Sequence, residues 1–151
     1  MATLIPPPPM TQLTMIDTNV FIYAINRASP HYRAAVHLRD QAQLEEAGFC
    51  IALQILAEFY STGTNPRRFN PPLTVDQAVQ EVDNIKALAG LILLPVPLDA
   101  ADLWLQLIRQ YRIRRSDIYD TQLVATMLEN QVRRMYTFHV NDFTVYPAIE
   151  V

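Results

Sequence analysis

The sequence predicts an α/β fold organised around a mainly parallel β-sheet. Short apolar runs compatible with β-strands alternate with longer segments in which apolar residues recur at helical spacing, and this alternation is typical of β-α units. The 151 residues have the length of one domain, and 50% of them are hydrophobic, which suffices for one core. Neither an internal repeat nor a shift in composition indicates a second domain.

The N-terminal segment differs from the rest because Pro6 to Pro9 follow one another without interruption. Proline favours polyproline II geometry and has no backbone N–H to donate. We therefore expect residues 1–11 to form a proline-rich flexible tail and residues 12–151 to form the folded domain. The tail is either a ligand for a proline-binding module or a simple extension upstream of a start at Met10 or Met15.

The first half of the domain contains two predicted strands and three predicted helices. Ser29 and Pro30 mark a helix N-terminus, and Gly48 marks the end of that helix. Residues 63–72, rich in helix breakers, separate this half from the next. The predicted strands are 12–17 and 49–52, and the predicted helices are 19–26, 31–47 and 53–61.

The second half predicts three further helices and three further strands. Thr74 and Gln77 have the spacing of a capping box, so a helix begins there, and Gly90 is its predicted stop. Asp99 is the predicted N-cap of the following helix. The predicted helices are 75–89, 100–111 and 117–130, and the predicted strands are 91–96, 134–138 and 148–151.

Composition excludes several classes of protein. Only 18% of residues are charged and the net charge is -3, which fits neither a disordered chain nor a strongly basic nucleic-acid module. The single cysteine, Cys50, excludes an intramolecular disulfide and is predicted to pack in the core. No apolar stretch has the length of a membrane span, so we expect a soluble, cytoplasmic protein with no membrane partner.

Two common catalytic designs are also disfavoured. Phosphate-cradling loops need several neighbouring glycines, whereas this chain has three that are far apart. No Gly-x-Ser-x-Gly motif is present, and His31, His37 and His139 lie near no obvious nucleophile. We therefore expect any chemistry to depend on carboxylates.

Two carboxylates stand in strongly apolar surroundings. Asp17 is the only charged residue in 1–26, and Glu58 is the only one in 49–65. A buried unpaired carboxylate is unfavourable, so each requires a cation, a metal ion or a helix cap to stay ionised. A helix N-cap alone explains Asp17. Glu58 falls in mid-helix, where an exposed polar face is the alternative explanation.

Two more acids, Asp120 and Asp142, lie near strand-helix boundaries. Asp117 precedes Asp120 by one turn, and the helix dipole alone explains that pair. In a parallel sheet, however, the carboxyl ends of the strands meet at one edge, so we expect Asp17, Glu58, Asp120 and Asp142 to converge. Crowded carboxylates are typical ligands of a hard divalent cation, and such a site can support metal-assisted hydrolysis of a phosphodiester.

Four segments resemble the motifs of PIN-domain ribonucleases, in particular VapC-like toxins of toxin-antitoxin pairs. These segments are 15–24 (MIDTNVFIYA), 56–59 (LAEF), 119–130 (YDTQLVATMLEN) and 137–143 (TFHVNDF). They occur in the family's order, and the similarity spans about residues 13–151. The resemblance implies a PIN-like three-layer α/β/α sandwich.

The resemblance also implies roles for individual residues. It implies that Asp17, Glu58, Asp120 and Asp142 are the catalytic and metal-binding acids. Thr18 is the hydroxyl that follows the first acid, and Asn19 is a further supporting residue. Asp117 is an additional acid that either assists at the metal or caps the helix. His139 stands where the family commonly has asparagine.

The activity and the partners are likewise implied by the resemblance. A PIN-like ribonuclease would be an endoribonuclease that uses Mg²⁺ or Mn²⁺ and acts on RNA. It would form a homodimer and would be inhibited by a small antitoxin protein.

Basic residues offer a candidate RNA contact. Eleven of the twelve basic residues are arginine, whose planar fork suits phosphate. Arg112, Arg114 and Arg115 directly precede the acidic turn, so they are either RNA-backbone contacts or a solvated loop. Tyr23, close to the first acid, lines the cleft or a dimer surface, or else packs in the core or at an interface.

Three other functions are alternatives to a nuclease. An aspartyl-phosphate phosphatase requires a second acid two residues after the first, where this chain has Asn19. A phosphoacceptor receiver domain requires a lysine at a strand end, whereas Lys86, the only lysine, falls in a predicted helix. The remaining alternative is a catalytically inactive PIN-like module that binds RNA or protein, and the four retained carboxylates favour an enzyme instead.

Overall fold

The central sheet contains four parallel strands. The computed structural model describes residues 12–151, so the predicted proline-rich tail lies outside the described residues. The strands are β1 (Thr14–Ile16), β2 (Phe49–Ala52), β3 (Leu91–Leu94) and β4 (Arg134–Tyr136). Their order is β3-β2-β1-β4, with β1 paired to both β2 and β4. All the carboxyl ends therefore point to one edge of the sheet, as predicted.

Six α-helices accompany the sheet in the described part of the chain. They are α1 (Thr18–Ala24), α2 (Tyr32–Gln41), α3 (Leu53–Gly63), α4 (Val75–Lys86), α5 (Ala100–Tyr111) and α6 (Asp117–Glu129). Helix α1 packs on α2 and α3, α3 packs on α4, and α5 packs on α6. The predicted α/β class is confirmed. Within residues 12–151, no helix is both long enough and apolar enough to traverse a bilayer.

The core lies where the two central strands meet the helices. All four residues of β2 are buried, and Met15 of β1 is fully buried. Helix α3 contributes Ile55 and Phe59, which are also inaccessible to solvent. Cys50 is buried as predicted, and this burial raises the pKa of its thiol to about 12, so the group stays protonated.

The prediction of one helix over 31–47 is wrong. Helix α2 ends at Gln41, and a separate 3-10 turn covers Glu45–Ala47 before Gly48, whose φ of 68° is left-handed. The Ala42 carbonyl accepts a hydrogen bond from the Gly90 N–H at 2.8 Å, so a tertiary contact occupies an oxygen that a longer helix would use. Ser29 accepts from the His31 N–H instead of capping α2.

The C-terminal prediction of a strand over 148–151 is also wrong. A single bridge joins Arg134 and Glu150, and no ladder extends from it among the described residues. Strand β4 stops at Tyr136, short of the predicted residue 138, because the Phe138 N–H donates to Asn19 Oδ1 rather than to a strand. The predicted capping box of Thr74 and Gln77 is confirmed.

Gly90 provides a test of this packing. A Cβ at residue 90 would lie 2.0 Å from the Leu44 carbonyl oxygen and 2.8 Å from that of Ala42, and neither backbone atom can move freely. We expect Gly90→Ala to lower the free energy of unfolding by about 1–3 kcal/mol or more, measured by urea denaturation.

The matched control is Gly63→Ala, because a Cβ there meets only the flexible side chain of Leu73 at 3.0 Å. Equal stability of the two variants would contradict the close approach at Gly90.

Candidate functional site

A cleft of about 600 Å³ opens at the carboxyl edge of the sheet. Four acids from four separate parts of the chain line it: Asp17, Glu58, Asp120 and Asp142. They come from the end of β1, the middle of α3, the first turn of α6 and the 3-10 turn Val140–Asp142 after β4. The structure thus brings together the four acids whose convergence was predicted from the sequence.

Asp17 is the most enclosed of the four acids, with 8% of its surface exposed. It is the N-cap of α1, and its Oδ1 accepts from the Thr18 N–H at 2.8 Å. Its Oδ2 accepts from Thr137 Oγ1 at 2.8 Å and from Asn19 Nδ2 at 3.2 Å. Burial nevertheless raises the pKa of Asp17, because desolvation of the carboxylate outweighs these hydrogen bonds.

A polar network fixes Asp17 between two strands. Asn19 Nδ2 also donates to Thr137 Oγ1 at 3.0 Å, and Asn19 Oδ1 accepts from the Phe138 N–H at 3.1 Å. Asn19 therefore joins the start of α1 to the segment after β4. The hydroxyl of Thr137 was not singled out from the sequence, because its partner is 120 residues away.

Glu58 is held on both oxygens. Thr18 Oγ1 donates to Glu58 Oε2 at 3.1 Å, which couples this carboxylate to the residue that follows Asp17. Gln54 Nε2 donates to Glu58 Oε1 at 2.8 Å and also to the Tyr119 carbonyl at 2.7 Å. Gln54 thereby links Glu58 to the residue before Asp120. Sequence reasoning missed Gln54, although its position four residues before Glu58 was a signal.

Asp120 has the clearest electrostatic perturbation. Partial burial raises its pKa to about 7, with further contributions from the charges of Asp142, Asp17, Glu58 and Asp117. Asp142 itself is half exposed, and its Oδ2 lies 3.9 Å from His139 Nδ1. Asp120 is thus close enough to the other acids for their charges to disfavour its ionised form, and a group with positive charge would compensate for this effect.

Several residues at the cleft were weakly predicted or missed. The lining also includes Thr18, Asn19, Tyr23, Arg68, Tyr119 and His139. Arg68 was missed, because nothing local shows that the loop after α3 returns to the acids. Tyr119 was part of a motif, and its position directly before Asp120 was the available signal.

Other candidate residues lie away from the cleft lining. Arg112, Arg114 and Arg115 are exposed in the loop between α5 and α6. Asp117 is exposed and is also absent from the lining, yet its charge adds to the raised pKa of Asp120. Asp117 therefore affects Asp120 through its negative charge, and its role as a metal ligand remains a prediction.

The donor set fits a hard divalent cation by its chemistry. Every candidate ligand is a carboxylate, the ligand that Mg²⁺ and Mn²⁺ prefer. In residues 12–151, the only side chain within ion-pair distance of these four acids is His139. Still, no three His, Cys, Asp or Glu side chains of the described chain stand close enough to form a ready metal site. The carboxylates share a cleft without closing on a common point.

Comparisons with known proteins establish the family of this chain. The sequence profile of the PIN domain matches residues 14–140. The chain belongs to the PIN-domain family. This PIN domain is 29% identical over 130 residues to Ribonuclease VapC24 of Mycobacterium tuberculosis (strain H37Rv), covering 85% of this chain and 88% of that relative. The resemblance stated from four sequence motifs is confirmed.

Solved structures show the same fold. Mycobacterium tuberculosis VapC20, described as a Sarcin-Ricin loop cleaving toxin, gives a TM-score of 0.66 at 19% identity and covers 91% of this PIN domain chain and 98% of its own. VapBC2 from Rickettsia felis, bound to a promoter DNA fragment, gives 0.63 at 16% identity over 91% and 95%. A toxin-antitoxin complex from Klebsiella pneumoniae gives 0.57 at 17% identity over 91% and 96%.

The perturbed carboxyl group predicts a pH-dependent stability. Between the ordinary pKa of 3.8 and about 7, folded Asp120 retains a proton that the unfolded chain has lost, so this group makes stability fall as the pH rises. We expect Asp120→Asn in EDTA at pH 8 to be more stable than the parent, on the order of 1 kcal/mol after allowance for solvent screening.

Thermal denaturation at pH 5 and pH 8 measures this effect, and the variant should lose less stability between the two. Asp76→Asn is the matched control, since it removes an exposed acid in the first turn of another helix, α4, outside the cleft. Parallel pH profiles of the parent and the Asp120→Asn variant would show that the cleft does not raise the pKa of Asp120.

Proposed function

We propose that this PIN domain is a metal-dependent endoribonuclease that hydrolyses phosphodiester bonds of RNA. The observation that carries the proposal is the convergence of Asp17, Glu58, Asp120 and Asp142 on one cleft whose charge is largely uncompensated by protein groups. The similarity to Ribonuclease VapC24 supports the choice of RNA as substrate. A phosphodiester in the cleft would add further negative charge, which makes a cation the natural third component.

The four acids are the proposed ligands of Mg²⁺ or Mn²⁺, with Asp117 as an outer acid. The chemistry that such an ion would supply is the activation of water and the neutralisation of charge that develops during in-line attack on phosphorus. Asp17 is the best-positioned ligand, because three donors fix both of its oxygens. Thr18 and Asn19 act as positioning residues through Glu58 and Asp17 respectively.

Asp120 is the ligand whose ionisation responds most to its surroundings. With a pKa of about 7 in the absence of a cation, it is partly protonated at neutral pH. A positive charge in the cleft favours the ionised form, so cation binding and loss of this proton are linked.

The proposed biological setting is a toxin-antitoxin pair. The similarity to VapC proteins and to toxin-antitoxin complexes supports a small antitoxin as partner. Action in the cytoplasm and a homodimeric state belong to the same proposal, as the resemblance to VapC-like toxins implies. An antitoxin would restrain the nuclease by covering the cleft or by preventing RNA from reaching it.

Loss of metal or of its first ligand should abolish cleavage. We expect EDTA to stop cleavage of single-stranded RNA and Mg²⁺ or Mn²⁺ to restore it. Asp17→Asn should lower kcat/KM by about 100-fold or more, because it removes a ligand charge while asparagine keeps the ability to cap α1.

Asp99→Asn is the matched control, since Asp99 is an exposed N-terminal residue of α5 outside the cleft. Cleavage that persists in EDTA, or an Asp17→Asn variant with parental kcat/KM, would refute the metal-dependent nuclease.

Arginine contacts with the RNA backbone are distinguishable by their salt dependence. Arg68 lines the cleft, whereas Arg112, Arg114 and Arg115 lie in a separate exposed loop. Each phosphate contact on a single strand contributes about 0.7 to the slope of log K against log salt. In an Asp17→Asn background, Arg68→Ala should reduce that slope by about 0.7, and the triple alanine variant should reduce it by about 2.

Arg33→Ala, which removes an exposed arginine of α2, is the control and should leave the slope unchanged. If the triple variant leaves the salt slope unchanged, the loop arginines contact solvent and not RNA. If Arg68→Ala leaves the slope unchanged, Arg68 does not contact the RNA backbone.

A further inference from the structure

The imidazole ring of His139 lies in the cleft and is held at a ring nitrogen. The His139 side chain is half exposed and lines the cleft together with the four acids. Its Nε2 lies 3.0 Å from the Tyr23 hydroxyl, and its Nδ1 lies 3.9 Å from Asp142 Oδ2. The Tyr23 hydroxyl fixes the orientation of the imidazole ring at one nitrogen, Asp142 lies near the other, and half of the side-chain surface stays exposed.

Tyr23 is itself held in place by packing. Its ring meets His139 edge to face, at 74° with centroids 6.2 Å apart. Behind it, His31 and Phe138 stack at 4.7 Å, and Tyr23 contacts them at 5.1 and 5.5 Å respectively. Phe138 is tied through its N–H to Asn19, which also binds Asp17. The position of the His139 ring is therefore coupled to that of the buried acid.

We propose that His139 is a stacking platform for a nucleobase of single-stranded RNA, next to the phosphodiester in the cleft, with Tyr23 as its positioning residue. The inference rests on the proposed function and adds a base-binding subsite to it. Proteins bind single strands by stacking bases on aromatic or histidine rings, a contact that tolerates every base. Stacking is especially needed here, because the net charge of -3 and the single arginine in the lining give weak electrostatic attraction.

The test uses short RNA in which 2-aminopurine replaces one base at a time, with the protein in an Asp17→Asn background so that the RNA stays intact. Stacking quenches the fluorescence of this base, which gives a readout independent of cleavage. We expect one position to be quenched by the parent background. His139→Ala and His139→Asn should lose this quenching and bind about 5- to 100-fold more weakly, whereas His139→Phe should retain both.

Two controls separate stacking from structural support. An RNA that is abasic at the quenched position should bind the His139→Ala variant and its parent equally. His37→Ala removes another exposed histidine, one that contacts Gln41 on α2, and should change neither readout. Tyr23→Phe should weaken quenching without abolishing it, because the ring stays in place while its hydrogen bond to His139 is lost.

The outcomes decide between the two proposals. Quenching without any cleavage by the wild type would refute the nuclease and keep the base subsite. Cleavage with equal affinity and quenching in His139→Ala would keep the nuclease and overturn the subsite. A His139→Phe variant as defective as His139→Ala would also overturn stacking, because the ring nitrogens would then be the essential groups.

Discussion

The parallel pairing of β1 with β2 and β4 is the constraint on which the rest of the structure depends. It aligns the carboxyl ends of strands that are far apart in the chain, and the buried Asp17 stands where they meet. The hydrogen bond that Thr137 donates to Asp17 joins segments 120 residues apart in the chain, and Asn19, two residues away, donates to the same oxygen. A hydrogen bond to a buried carboxylate contributes more than one between neutral groups, so the same contacts stabilise the sheet edge and orient the acid.

The acids of the cleft lower the stability of the folded domain, and packing elsewhere in the domain must offset this loss. Burial of Asp17 and Asp120 disfavours their charged forms and raises the pKa of each group, and the charges of neighbouring acids add to this effect at Asp120. Elsewhere the fold is ordinary, with an apolar sheet and well-packed helices. Local instability of this kind is expected where charge is arranged for a ligand rather than for folding, since stability and activity make opposite demands on the same residues.

The sequence predicted those features that depend on local pattern. Strand β2, the capping box at Thr74 and the placement of acids at strand ends all follow from periodicity and backbone chemistry. The wrong predictions have tertiary causes. The Gly90 N–H donates to the Ala42 carbonyl, where α2 ends, and the Phe138 N–H donates to Asn19 Oδ1 instead of extending β4. Arg68 and Thr137 were missed at the site for the same reason, because their proximity to the acids depends on how distant segments pack.

An acidic protein that acts on RNA, a polyanion, can attract its substrate only through a small part of its surface. The long-range field of a domain with a net charge of -3 does not draw RNA in, so short-range terms have to decide binding. A divalent cation among the four carboxylates would offset only part of their charge. It would therefore attract a phosphodiester only at short range, since salt screens exposed charges beyond about 8–10 Å. Stacking on an oriented ring is equally short-ranged. Productive binding then requires a strand flexible enough to bring a phosphodiester and its neighbouring base into the cleft together, which favours single-stranded or looped RNA over a regular duplex.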